Sequence, residues 1–68
     1  RAVFPALTAR ELEVLDLIAR GAPNKRIALA LDLSLHTVKR HVANILDKTG
    51  AASRAELISR CLRRADGG

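Results

Sequence analysis

Aromatic residues are almost absent from this 68-residue chain, in which Phe4 is the only one. The apolar residues are mostly Ala, Leu, Ile and Val, which suit packed helices better than a β-sandwich, whose strands favour β-branched and aromatic residues. The single cysteine, Cys61, excludes an internal disulfide and agrees with a reducing compartment such as the cytoplasm. We see no long apolar run and no signal peptide, so we expect no membrane span and no membrane partner.

The groups that an active site needs are also missing. The sequence shows no pair of a nucleophile and a general base with a third residue that would orient the base. It also has no Gly-rich loop that could bind a phosphate. His36 and His41 are five residues apart, off the i, i+4 spacing that places two metal ligands on one helix face, and no acidic or cysteine partner is near. We therefore expect no enzyme, no cofactor and no metal site.

The length allows one small domain with a modest core. We expect residues 1–6 to be the end of a linker, residues 7–65 to form the domain, and residues 66–68 to be a frayed tail. Because the first residue is Arg1, we interpret the chain as a piece of a longer protein.

Positive charge is in excess and is unevenly distributed. The net charge is +5 at pH 7. Residues 1–32 hold five basic and four acidic residues, a balance of +1, whereas residues 33–68 hold seven basic and three acidic residues, a balance of +4. A small basic domain typically binds nucleic acid or an anionic membrane, although a solvated basic surface without a ligand is the simpler alternative.

One amphipathic helix lies at the centre of the basic half. Ser34 is a good N-cap, because its hydroxyl can accept a hydrogen bond from a first-turn amide. Apolar residues follow at helical spacing and predict a buried face: Val38, Val42, Ile45 and Leu46. The opposite face carries His36, Lys39, Arg40, Ala43 and Asp47. We expect the helix to end near Gly50. We also expect its half from His36 to Ala43 to be the part that a polyanion contacts.

The preceding residues predict two more helices. Thr8 and Glu11 have the spacing of a capping box, so helix 1 should run from Ala9 to about Arg20 and stop at Gly21. Its predicted apolar stripe is Leu12, Leu15, Ile18 and Ala19, widened by Val14 and Leu17, and its outer residues are Arg10, Glu11, Glu13, Asp16 and Arg20. Asn24 should cap helix 2, which runs from Lys25 to about Leu31 and turns Ile27, Ala28 and Leu31 inward.

A short connection, Asp32-Leu33-Ser34, joins helix 2 to helix 3. A sharp turn between helices often needs a left-handed residue, and aspartate tolerates that conformation better than most residues. We expect Leu33 to fill the angle between the two helices. Two short helices joined in this way form a helix-turn-helix.

A fourth helix follows a second capping box at Ser53 and Glu56. Its apolar residues are Leu57, Ile58, Cys61, Leu62 and Ala65, and its outer residues are Arg54, Arg60, Arg63 and Arg64. This is more apolar surface than one-sided packing needs. Leu57, Cys61 and Arg64 are therefore candidates for contact with a second copy, although Cys61 is most simply a small apolar residue.

Together, these segments resemble the LuxR-type (GerE-type) DNA-binding domain of bacterial transcription regulators. The resemblance covers roughly residues 7–64. The segments that carry it are Leu7-Thr8-Ala9-Arg10-Glu11-Leu12-Glu13-Val14-Leu15, Gly21 with Asn24-Lys25-Arg26-Ile27-Ala28, Leu33-Ser34 with Thr37-Val38-Lys39-Arg40-His41-Val42, Ile45 with Lys48 and Gly50, and Ser53-Arg54-Ala55-Glu56-Leu57. It implies an all-α, four-helix domain that binds double-stranded DNA, with helix 3 in the major groove and helix 4 supporting a homodimer.

The resemblance also implies residue roles. Base edges would be met by Lys39, Arg40 and Ala43, and phosphates by Asn24, Lys25, Thr37 and the start of helix 3, where Ser34 lies. Relatives often carry a polar or basic residue at the position of Ala43, whereas alanine offers only apolar contact, for example to a thymine methyl group.

Simpler readings remain for several of these residues. Lys39 and Arg40 could contact phosphates or be merely solvated, and Ser34 is fully explained as a cap. Thr37 could touch a phosphate. We expect His41 to be half-buried, either packed against helix 1 or hydrogen-bonded to a phosphate.

We therefore expect the output domain of a bacterial transcription regulator, located in the cytoplasm and controlled by an upstream domain, with RNA polymerase as a possible further partner. Two alternatives remain open: the promoter-reading C-terminal region of a sigma factor, and a protein–protein module that pairs through helix 4 or binds an acidic partner. A separately capped helix 4 favours the LuxR type over the sigma factor.

Overall fold

Four helices make up the computed structural model, which describes the backbone of residues 6–67 and the side chains of residues 6–63. They are α1 (Ala9–Ala19), α2 (Asn24–Leu31), α3 (Leu35–Thr49) and α4 (Arg54–Gly67), in agreement with the predicted all-α, four-helix class. α4 continues to Gly67. The expected linker at residues 1–5 and the expected frayed end at Gly68 lie outside the described residues.

The helices surround one aliphatic core. α3 packs against each of the other three helices, and α1 also packs against α2 and α4. The largest fully buried side chains come from all four helices: Val14, Ile18, Ile27, Val38, Ile45 and Leu57. α3 is therefore held from three directions, which fixes the orientation of its outer face.

Helix α1 begins at the predicted capping box. The Glu11 N–H donates to Thr8 Oγ1 at 3.1 Å, and the Thr8 N–H donates to Glu11 Oε1 at 2.9 Å. Gly21 follows the end of the helix, at a φ of +87°. The N–H groups of Gly21 and Ala22 donate to the carbonyls of Ile18 and Leu17, which is the Schellman arrangement that a left-handed glycine permits.

The buried face of α1 differs from the predicted one. The buried residues are Glu11, Val14, Leu15 and Ile18, whereas Leu12 is 46% exposed. The prediction of Leu12 as core and Glu11 as surface was wrong. Glu11 lies on the same helical stripe as Leu15 and Ile18, while Leu12 lies about 100° away from Glu11. The burial of the carboxylate is possible because a distant lysine pairs with it.

The turn between α2 and α3 has the predicted geometry. Asp32 adopts a left-handed conformation, with φ +56° and ψ +48°. The Leu33 N–H then donates to the Ala28 carbonyl at 2.9 Å, and the Leu33 side chain packs against the core. Ala28 is itself buried. These contacts confirm the helix-turn-helix formed by α2 and α3.

Two arginines of α4 lie closer to the body of the domain than predicted. Arg54 and Arg60 are both half-buried, not on the outer surface. Arg60 Nη1 donates to the Thr49 carbonyl at 2.6 Å, which ties α4 to the last turn of α3. The long side chain of an arginine can lie along a neighbouring helix while its N–H groups donate to the free carbonyls of that helix. For this reason, the prediction that Arg54 and Arg60 point outward was wrong.

Ser53 caps the start of α4, as predicted. The Glu56 N–H donates to Ser53 Oγ at 3.1 Å. The Glu56 carboxylate accepts from the Ala52 N–H, one residue before the amide that a capping box uses. This hydrogen bond is the main cause that lowers the pKa of Glu56.

Candidate nucleic-acid interface

Helix α3 presents a firmly anchored face to solvent. Ser34 Oγ accepts from the Thr37 N–H at 3.0 Å and fixes the first turn, as predicted. Val38 and Ile45 are buried, and Val42 and Leu46 pack against the core. The side chains predicted for the outer face are all exposed: His36, Lys39, Arg40, Ala43 and Asp47. The structure thus brings the three predicted base-contact residues to one accessible surface.

The distribution of ion pairs concentrates free positive charge on the helix-turn-helix. Four carboxylates outside it pair with cations: Glu13 with Arg10, Asp16 with Arg20, Glu11 with Lys48, and Glu56 with Arg60. Within residues 6–63, no carboxylate lies within 4.0 Å of the four cations on the outer surface of α2 and the first half of α3. These cations, which we call the basic surface, are Lys25, Arg26, Lys39 and Arg40. A polyanion can therefore approach it without displacing a carboxylate.

The first turn of α3 distinguishes two predicted phosphate contacts. Ser34 Oγ accepts from the Thr37 N–H and donates its own proton to Thr37 Oγ1 at 2.9 Å, so its hydrogen bonds serve the cap. The Thr37 hydroxyl accepts that bond and keeps its own proton to donate. The amides at the start of a helix attract anions. Thr37 is therefore better placed than Ser34 to donate to a phosphate.

The side chain of Asn24 makes a different hydrogen bond from the predicted one. Pro23 is the N-cap residue of α2 and makes no side-chain cap, so the prediction of Asn24 as the cap was wrong. Instead, Asn24 Oδ1 accepts a hydrogen bond from Arg54 Nη1, and Arg54 Nη2 donates to the Ala22 carbonyl at 2.7 Å. The amide oxygen is thus engaged, while the amide nitrogen of Asn24 remains available as a donor. Lys25 follows it and is exposed.

Arg54 is a residue of this region that sequence reasoning missed. Its guanidinium reaches the start of α2 from the first residue of α4, across a sequence separation of 30 residues. No local pattern marks such a contact. Its effect is to fix the position of Asn24, and therefore the end of α2 at which Lys25 lies.

Lys48 anchors the far end of α3 to α1. Its Nζ lies 2.8 Å from Glu11 Oε1, and the Glu11 side chain is only 4% exposed. The hydrogen bond from Lys48 and the one from the Thr8 amide lower the pKa of Glu11 and keep it ionised. The same oxygen therefore links the capping box of α1 to the last turn of α3.

The two histidines lie in different environments. His41 is half-buried, as predicted, and His36 is exposed. Among the described residues, no group of three or more His, Cys, Asp or Glu side chains could hold a metal ion.

The predicted dimer residues of α4 are only partly accessible. Leu57 is 0% exposed because it fills the chain's own core, so its side chain has no surface to offer a second copy, and this part of the prediction was wrong. Cys61 is half-buried against the core, and burial raises the pKa of its thiol. The side chain of Arg64 lies outside the described residues. Up to residue 63, the exposed side chains of α4 are instead Ala55, Ser59, Leu62 and Arg63, with Leu62 54% exposed.

Comparison with known proteins agrees with this geometry. Residues 5–61 match the family described as bacterial regulatory proteins, luxR family (GerE). The chain is 52% identical over 54 residues to the monoamine regulon transcriptional regulator of Klebsiella aerogenes, a match that covers 79% of this chain and 24% of that protein. It is 44% identical over 61 residues to the oxygen regulatory protein NreC of Staphylococcus aureus strain JH9, which covers 90% of this chain and 28% of that protein.

The chain thus spans about a quarter of the length of these curated relatives. Within the described residues, none of the helices has the length and apolar character needed to cross a membrane. The matched family is a class of regulators and not a class of enzymes. The family match and the capped α3 of the helix-turn-helix lead to the same conclusion: the chain belongs to the luxR family of bacterial regulatory proteins, as one of its LuxR-type helix-turn-helix DNA-binding domains.

Proposed function

We propose that the chain is the output domain of a larger bacterial transcription regulator and binds duplex DNA sequence-specifically, with α3 in the major groove. The observation that carries this proposal is the basic surface, whose four cations have no carboxylate partner among the described side chains. The major groove of B-DNA admits an α-helix, and the first half of α3 is the part that is exposed, basic and free of acidic residues.

Docking on the DNA backbone comes first in the proposed mechanism. Lys25, the Thr37 hydroxyl and the amide nitrogen of Asn24 donate to phosphates near the starts of α2 and α3. Ser34 supports this contact through its cap, and His41 can reach a phosphate from its half-buried position at the edge of α3. Contacts of this kind position a protein on the duplex but carry no sequence information.

Base reading then falls to the exposed face of α3. Lys39 and Arg40 can each donate to guanine O6 and N7, the commonest specific contact of these side chains. Ala43 offers a methyl group that can meet the methyl group of a thymine. Asp47 would be repelled by phosphates, so the last turns of α3 lie clear of the groove.

We further propose that two copies bind DNA together through α4. The supporting observation is the exposed face formed by Ala55, Ser59 and Leu62, on which the leucine is 54% exposed. Cys61 contributes the accessible part of its side chain, and Arg64 follows on the same helix. A two-fold pair of this kind reads two half-sites about 34–36 Å apart, one turn of DNA.

The proposed setting is the bacterial cytoplasm, where a regulator bound near a promoter meets RNA polymerase. The names of the relatives, a transcriptional regulator and an oxygen regulatory protein, support this setting. Selection of binding sites from random-sequence duplex tests the proposal. We expect an enriched two-fold motif, and enrichment of no motif would contradict sequence-specific binding.

A further inference from the structure

The middle of the exposed face of α3 is occupied by a histidine that the proposed function leaves without a role. Residues at i, i+3, i+4 and i+7 share one side of a helix. His36, Lys39, Arg40 and Ala43 have this spacing and are all exposed. With 100° between successive residues, His36 and Ala43 lie along the centre of the face, and Lys39 and Arg40 flank it.

Ala43 leaves this central line short of hydrogen-bonding groups. Its side chain ends at Cβ, and the next residue along the line is the acidic Asp47. His36 is therefore the group on the central line that can hydrogen-bond to a base edge without bringing negative charge to DNA. It lies in the first turn of α3, and recognition helices contact base edges mainly with their N-terminal residues.

His36 has no structural role in the described part of the fold. Its side chain is exposed and makes no hydrogen bond or ion pair with the rest of residues 6–63. The cap of α3 is supplied by Ser34 alone. In addition, the first turn of α3 contains no acidic residue, although acidic residues are the ones that a helix N-terminus favours. The imidazole thus has no partner within residues 6–63, and no acidic residue of the first turn of α3 shields it from a polyanion.

We propose that His36 is a further base-reading residue, which donates a hydrogen bond to the N7 or O6 acceptor of a purine and supplies the hydrogen-bonding specificity that the methyl group of Ala43 cannot provide. This inference rests on the proposed placement of α3 in the major groove. An imidazole has at least one N–H donor in either protonation state, and purine N7 is an acceptor on the major-groove edge of both adenine and guanine.

The helix geometry sets the register of this contact. The rise of an α-helix places His36 about 4.5 Å before Lys39 and about 6 Å before Arg40 along the axis of α3. Base pairs are stacked about 3.4 Å apart. For a helix lying along the groove, His36 therefore reads a base pair one or two steps from the pairs read by Lys39 and Arg40.

Site selection from random-sequence duplex with the unaltered chain, His36→Ala and His36→Gln tests the inference. With His36→Ala, we expect the preference for a purine at one position of each half-site to fall by roughly tenfold to a hundredfold, while the other positions keep theirs. With His36→Gln, the same position should shift toward adenine, because glutamine pairs with adenine N6 and N7. Asp47→Ala is the matched control on the same face, and it should raise affinity for all sequences equally.

The outcomes separate this inference from the proposed function. If the unaltered chain enriches no motif, both are wrong. If it enriches a motif and His36→Ala leaves every position unchanged, sequence-specific binding stands and the reading role of His36 is refuted. If His36→Ala loses affinity equally for all duplexes, His36 contacts a phosphate and does not read a base. This result would also refute the inference. Circular dichroism of each variant confirms that the exposed substitution leaves the helices intact.

Discussion

The Glu11–Lys48 pair provides a quantitative test of how the recognition helix is held. The pair joins α1 to the last turn of α3, with Lys48 Nζ 2.8 Å from Glu11 Oε1. The two side chains differ in burial, because Glu11 is 4% exposed and Lys48 is 33% exposed. Removing one partner should therefore have a different effect from removing the other.

The larger loss should come from Lys48→Met. This change leaves a buried carboxylate without its counter-charge, and breaking a buried pair in this way costs about 3–5 kcal/mol. Because one side of this pair is open to water, we expect about 2–3 kcal/mol. Glu11→Gln should cost only about 1 kcal/mol, since a glutamine oxygen can still accept from the Thr8 amide and Lys48 can turn to water. The whole domain has about 3–10 kcal/mol of stability at this length, so Lys48→Met removes a large fraction.

The pH dependence of the loss follows from the pKa of Glu11. In the folded protein this pKa lies below its ordinary value of 4.5, mainly because of Lys48. A carboxyl with a lowered pKa in the folded state stabilises the fold above its unfolded pKa, and this stability is lost as the pH falls through the folded pKa. The difference in stability between the unaltered chain and Lys48→Met should therefore be full at pH 7 and should shrink below pH 4.5.

Urea denaturation followed by the helical circular dichroism signal measures these free energies, since the chain has no Trp or Tyr. Arg10→Met is the matched control, because the pair of Arg10 with Glu13 has a similar distance of 3.2 Å but exposures of 45% and 56%. It should change stability by less than about 0.5 kcal/mol. A smaller loss for Lys48→Met than for Glu11→Gln, or a loss equal to that of the control, would refute the reasoning.

Four further substitutions test the turns, the reading face and the pairing of copies. In urea denaturation, Asp32→Gly should stabilise the domain by about 1 kcal/mol and Gly21→Ala should destabilise it by about 1 kcal/mol, because both positions have positive φ. A change of the same sign for both variants would contradict this reason. Lys39→Ala should reduce discrimination at one base pair by about 1–3 kcal/mol in competition binding with altered duplexes, whereas an equal loss on every duplex would make Lys39 a phosphate contact. Leu62→Glu should weaken binding to a duplex with two half-sites while binding to a single half-site is kept, because Leu62 is 54% exposed and outside the core; equal affinities for the unaltered and variant chains on both duplexes would reject α4 as the interface.

The features that were predictable from sequence depend on residues close together in the chain. The Thr8–Glu11 capping box, the Ser34 cap and the left-handed Asp32 each arise from contacts within about one helical turn. Such contacts determine where helices start and stop. The type and order of the helices, and hence the helix-turn-helix, therefore followed from local chemistry.

The features that were missed depend on contacts between distant residues. Glu11 was placed outside because a carboxylate is rarely buried without a partner, and its partner Lys48 lies 37 residues away. Arg54 reaches Asn24 across a similar gap. Leu57 was assigned to a second copy because periodicity shows that a residue is apolar but not whether its own chain or another one covers it.

The salt dependence of binding to random duplex tests the central claim most directly. Lysine and arginine contacts with phosphates release counterions, which gives a log–log slope of about −0.9 per phosphate neutralised. On random duplex, Lys39 and Arg40 have no preferred base to read and can contact phosphates instead. If all four cations of the basic surface then contact phosphates, one chain should show a slope of about −3.6. A slope near zero between low and moderate salt would show that this surface does not bind the DNA backbone and would contradict the account.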